Sequence, residues 1–220
     1  ANFLMVYMAG VICFFSGAPF MGRKERYYLI REERQRWFSE QANDIFISSF
    51  LMTGISVLAS CIPLLPMLEF RGDWGKVIFT LAKTNAGDIT GLFWKISNWY
   101  LNNHTPLEAM LTSILIISLG SCFFGMLMML IRLYLPKAYS VGIASALVAY
   151  SSVVANVGFP SEKSFFEVSP VSWMRITRLG FTENGFRVAW PASASIGVFS
   201  VLLLAIGIAG HRRIRQVDFQ

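Results

Sequence analysis

The sequence predicts an all-α fold, a polytopic bundle of transmembrane helices, and two observations carry that prediction. Of 220 residues, 55% are hydrophobic and only 15% are charged, where a soluble domain carries about 25%. The charge is also segregated, nearly absent from five apolar stretches and crowded between them, as membrane spans require. A soluble core of this composition would leave one polar stripe on each helix, whereas these stretches are apolar all round. The mean hydropathy of +0.53 points the same way. Residues 1–220 therefore read as a single transmembrane domain with spans at about 2–18, 45–65, 107–131, 141–158 and 189–210.

The first stretch is rich in Phe, Met and Val and stops at Pro19. No basic residue precedes it, and Gly22-Arg23-Lys24-Glu25-Arg26 stands where a signal peptide would have its small-residue cleavage site. Ala1 already lies inside the apolar run, so five visible spans and six in the full protein are expected.

Residues 22–43 form the densest charge cluster. Arg23, Lys24, Arg26, Arg31, Arg34 and Arg36 stand against Glu25, Glu32, Glu33 and Glu40. Glu32 and Arg36 have the i, i+4 spacing of a helical ion pair worth roughly 0.2–0.5 kcal/mol. Tyr27, Ile30, Arg34 and Trp37 fall near one face, which predicts an amphipathic helix along the membrane surface.

Pro63 and Pro66 break the far end of the second span. The polar segment 69–106 that follows holds Trp74, Trp94, Trp99 and Tyr100, aromatics suited to a membrane–water interface. Gly87-Asp88 is a turn signal between two short interfacial helices, over 77–83 and 89–100. In the third span, Gly120-Ser121-Cys122 and Gly125 offer small surfaces for close helix packing. The fourth is rich in Ala, Ser and Val, and Asn156 near its end either lines an interface or caps the helix.

In the second polar segment, 159–187, Ser169-Pro170 reads as a helix start with Pro at the first position. A short helix over 171–179, stopped by Gly180, would dip into the interface without spanning. Phe165 and Phe166 precede it, and Phe181, Phe186 and Trp190 follow. The last span ends in His211-Arg212-Arg213-Ile214-Arg215.

Basic residues set the orientation. One side receives the cluster from Arg23 to Arg36, then Arg132 and Lys137, then Arg212, Arg213 and Arg215, all in short loops abutting spans. The other side's Arg71, Lys76, Lys83, Lys95, Lys163, Arg175, Arg178 and Arg187 are diluted over two long segments. The first side, with the C-terminus, is therefore predicted to be cytoplasmic. The same flanking pattern explains the net charge of +6 without nucleic acid.

Several chemistries have no motif here. There is no G-x-x-x-x-G-K-[ST], no H-E-x-x-H and no G-x-S-x-G. Cys13, Cys61 and Cys122 lack any CxxC spacing and read as small buried apolar residues, while His104 and His211 lie far apart, so no metal site or cofactor is predicted. Within the spans the one acidic residue is Glu108, at an edge. An ion-coupled carrier needs ionisable groups at depth, so energy is expected from a partner.

The arrangement of spans, a charged aromatic segment after an early span, and a polar external segment before the last resembles the membrane subunit of an ABC-2 type transporter. The resemblance covers most of the chain as an order of elements, with loose motifs. It implies that the segment from Gly22 to Trp37 is a coupling helix docking on a separate cytoplasmic ABC ATPase, with Arg23, Arg26, Tyr27, Arg31, Arg34 and Trp37 as contacts. It implies a re-entrant external hairpin over 159–187, carrying Phe165, Phe166, Trp173 and Arg175, and a second permease chain, identical or homologous. The setting would be a bacterial plasma membrane. An apolar path would suit a lipid-like, peptide or hydrophobic drug substrate. The segment 69–106 is longer than the family's usual link at that place. A non-transporting scaffold binding an extracytoplasmic partner is the second reading. An intramembrane enzyme is the third, and the paired catalytic groups it would need at depth are not found.

Overall fold

The computed structural model describes residues 2–19, 34–63, 72–83, 98–156, 169–176, 179, 182–183, 186–187 and 190–214. Helices dominate: α1 (Asn2–Phe15), α2 (Arg34–Cys61), α3 (Lys76–Lys83), α4 (Asn98–Asn103), α5 (Pro106–Arg132), α6 (Lys137–Asn156) and α7 (Ala192–Ile214). A 3-10 turn spans Ser172–Met174, and β1 (Thr182–Glu183) pairs antiparallel with β2 (Phe186–Arg187), Thr182 opposite Arg187.

Helix α5 is the centre of the bundle. Helices α1, α2, α6 and α7 and the 3-10 turn all pack on it, and 67% of its most apolar stretch is buried, against 17% in α2 and α7. Gly120 and Gly125 make this possible, because a Cβ at either would meet a neighbour's side chain: Met174 at the first, Ile45 and Phe15 at the second. Helices α2, α5 and α7 are each long and apolar enough to cross a membrane. The shortest, at 23 residues, extends about 35 Å against a hydrocarbon core of about 30 Å. The outer helices turn large apolar residues outward: Ile47, Leu51, Ile55 and Leu58 on α2, and Val201, Leu204 and Ile208 on α7. Faces of that kind are costly in water and neutral against lipid tails. Helix α1 is a shorter apolar helix, and α6 packs on α1 and α5.

The ends of α5 follow from local chemistry. Thr105 caps its start, with Oγ1 accepting from the Glu108 amide at 3.3 Å and Pro106 in the first turn. At its end the Arg132 guanidinium donates to the carbonyls of Gly17 and Ala18 at 3.0 and 2.8 Å, tying α5 to the turn after α1. That turn contains the cis Ala18–Pro19 bond.

Several elements differ in extent from the sequence expectations. Helix α2 runs unbroken from Arg34 into the expected second span, because no helix breaker interrupts the stretch and Trp37 and Phe38 are already buried. Arg36 pairs forward with Glu40 at 3.2 Å, a bond so exposed that it contributes little. Among the described residues of 171–179 the helical part is the 3-10 turn Ser172–Met174, wedged against α5 and α6, and Arg175 leaves it at φ −85, ψ 86. Of the two short helices expected in the segment 69–106, α3 matches its range, whereas the second helical stretch observed is Asn98–Asn103, with 84–97 outside the described residues.

One hydroxyl joins three helices. The Tyr7 phenol of α1 lies 2.8 Å from Thr53 Oγ1 on α2 and 3.2 Å from Ser121 Oγ on α5. Thr53 and Ser121 donate their own protons to the carbonyls of Ser49 and Ile117, so both retain lone pairs for Tyr7. Replacing Tyr7 with Phe should therefore destabilise the purified protein by about 0.6–1.7 kcal/mol, the range for hydrogen bonds between membrane helices. A lowered thermal midpoint in detergent is the expected reading, and an unchanged midpoint would assign the contact to packing alone.

Candidate functional site

Two regions contain the residues that the sequence singles out. At the basic end of the bundle, Arg23, Arg26, Tyr27 and Arg31 lie outside the described residues, and Arg34 opens α2. Trp37 is 5% exposed and Phe38 3% exposed, so the start of α2 is anchored in the bundle. Phe38 sits on Gly210 of α7, where a Cβ would overlap its ring. The His211 ring approaches Phe38 edge-on, with centroids 6.4 Å apart. The Arg213 guanidinium lies 4.7 Å over the Tyr134 ring, which occupies one of the cations on α7. Sequence reading missed Phe38 and Gly210. The only signal for them was a glycine at the end of an apolar run.

At the opposite end, Ser169 to Met174 are all buried. Their depth is set by Gly120, which stands near the middle of α5, about 20 Å from its first turn. A Cβ on Gly120 would come within 2.6 Å of Met174 Sδ and Cε, so the turn reaches far into the bundle. Irregular backbone is tolerated at such depth only when protein surrounds it. Here serine hydroxyls satisfy one another. Ser172 donates to Ser169 at 2.8 Å, Ser169 lies 2.6 Å from Ser151 of α6, and Ser151 donates to the Leu147 carbonyl at 2.9 Å. Because Ser151 spends its proton on Leu147, Ser169 must donate to Ser151, which gives the chain one direction.

Trp173 is buried against α7, its ring stacked on Trp190 at 5.9 Å and edge-on to Phe199 at 5.6 Å. Phe199 in turn meets Phe123 of α5 at 5.9 Å. Arg175 is half-buried, and Phe165 and Phe166 lie outside the described residues. Two further buried hydroxyls, Ser118 on α5 and Ser195 on α7, have no hydrogen-bond partner among the described residues.

Beside this end, Trp74 Nε1 donates to the His104 carbonyl at 2.7 Å, drawing the two ends of the long polar segment together. The Tyr100 and His104 rings lie 4.7 Å apart, and His104 Nδ1 is 3.4 Å from Glu108 Oε1. Burial first, and the Glu108 carboxylate second, raise the Tyr100 phenol from 10.0 to about 12. The neutral phenol is thus favoured in the folded chain, so its contribution is complete below pH 10 and lost as pH climbs towards 12. Phenolate absorbance that differs between the native chain and Tyr100→Phe should grow in near pH 12. A difference already half-complete near pH 10 would place the ring in water.

Among the described residues no three His, Cys, Asp or Glu side chains gather as metal ligands. Cys122 is buried as expected, whereas Cys13 is exposed and Cys61 half-buried, because α1 and α2 turn those positions outward. Comparison with protein-family models, curated proteins and solved structures finds no match.

Proposed function

We propose that the chain is the membrane-spanning permease subunit of an ATP-driven ABC exporter. Helices α2, α5 and α7 would cross the plasma membrane, with α1 and α6 as further spans, and the C-terminus would be cytoplasmic. A separate ATPase would supply the energy, since this chain contains no phosphate-binding loop motif.

The observation that carries the reading is the continuity of α2. The charged segment containing Arg23, Arg26, Tyr27 and Arg31 leads directly into a 28-residue helix anchored by Trp37 and Phe38. Closure of two ATPase subunits would push on that segment. Helix α2 would tilt as a lever, and the Phe38–Gly210 contact would draw α7 with it. Opening between two such chains would expose faces rich in aromatic and small residues, suited to a hydrophobic, lipid-like or peptide substrate. The buried turn at Ser172–Met174 would close the far end of the path.

A second reading has one observation of its own. The Trp74–His104 bond and the packing of α3 on α4 hold the two ends of the segment 69–106 together, and on the external side they would offer a platform to an extracytoplasmic partner. Replacing the Walker lysine of the partner ATPase separates the two readings: export should stop if the chain is a permease. Function that persists without ATP hydrolysis would favour the scaffold.

A further inference from the structure

At the basic end of the bundle a cleft of about 560 Å³ opens between α2, α5 and α7. Phe38, Ala42, Met126 and Ile208 make its apolar floor. The space exists because of Gly207, where an added Cβ would meet no atom within 4 Å, in contrast to Gly210 one turn on, where Phe38 fills the gap. Ser39, His211 and Arg212 stand at the polar edge. Arg212 is exposed and has no acidic partner among the described residues, while Glu40, next to Ser39 in sequence, is engaged by Arg36 at 3.2 Å. From Ile208 the exposed apolar residues Leu204 and Val201 continue along α7 away from the basic end.

We infer that this cleft binds one anionic phospholipid, its phosphate at Arg212, Ser39 and His211 and an acyl chain over the floor towards Leu204. The occupant follows from the two halves of the site. A free anion would leave the apolar floor uncovered, and a neutral lipid would leave the Arg212 charge unanswered. A second copy of this basic end would set cation against cation. Basic pockets between helices at a membrane surface recognise anionic headgroups by the same charge complementarity. The inference rests on the bilayer placement of the bundle and is independent of its transport role.

The test is native mass spectrometry of the full chain in mild detergent with added phosphatidylglycerol, phosphatidylcholine or inorganic phosphate. One phosphatidylglycerol should be retained about five-fold over phosphatidylcholine, as expected for one basic contact at a membrane surface. Arg212→Gln should abolish that preference, and Gly207→Leu, which fills open space, should reduce retention of both lipids. Since Arg212 is exposed, its variant decides the matter even if the Gly207 variant does not fold. Equal retention of the two lipids, unchanged retention in both variants, or phosphate binding as tight as lipid would overturn the assignment. So would a change of oligomeric state in Gly207→Leu with lipid retention intact. No ATPase enters this measurement, so it can fail while the exporter reading stands, and succeed if that reading falls.

Discussion

On the exporter reading, replacing Arg23, Arg26 and Arg31 with Glu should release the proposed ATPase subunit while native helicity is kept. If these arginines dock on an acidic surface of the proposed partner, the three exchanges turn attraction into repulsion. Losing and reversing such contacts costs a few kcal/mol, so association should weaken by about a hundred-fold or more. The arginines belong to the basic cluster that the charge distribution predicts to hold this end of the bundle on one side of the membrane. Orientation must therefore be read beside binding, by protease access to the tail beyond Ile214. An Arg→Gln set, which removes charge without reversing it, should give intermediate binding in the native orientation. Undiminished capture by the Glu chain would move the contact away from this segment.

The second large effect is mechanical. Gly210→Leu should unseat Phe38, because even the first added carbon overlaps its ring. Overpacking of this kind costs about 1–3 kcal/mol, and here it falls on the contact that joins the start of α2 to the end of α7. The purified variant should melt earlier, and export should fall further than stability does, since the lever would no longer pull α7. Adding Phe38→Ala should restore part of the loss, a coupling that independent sites would not show. Gly197→Leu, on the same helix but away from the cleft, is the internal control, because nothing lies within 4 Å of its added carbon. If both leucine variants behave alike, the Phe38–Gly210 contact has no special part in coupling.

The core of this architecture can be read from the chain because charge and hydropathy act locally. Thr105-Pro106 and Arg132 bracket α5 within a residue of the expected span, and the apolar run before His211 marks α7. The joining of the charged stretch and the second span in one helix was not legible because the charged residues read as a boundary, although Phe38 among them packs on Gly210 of α7. The buried turn was misread for a related reason. Ser169-Pro170 looks like a helix start, but the hydroxyl chain from Ser172 to Leu147 and the seat on Gly120 hold a tighter turn in place. Those partners are remote in sequence, as are Tyr7, Thr53 and Ser121, and no local pattern announces them. The coupling arginines Arg23, Arg26 and Arg31 rest on the sequence resemblance, whereas the anchor of α2 at Phe38 came from the fold.

The most direct measurement is purification of the full-length protein in mild detergent and identification of whatever accompanies it. The exporter reading predicts a stoichiometric ATPase carrying a Walker motif. Recovery of the chain alone, or only with extracytoplasmic proteins, would contradict it.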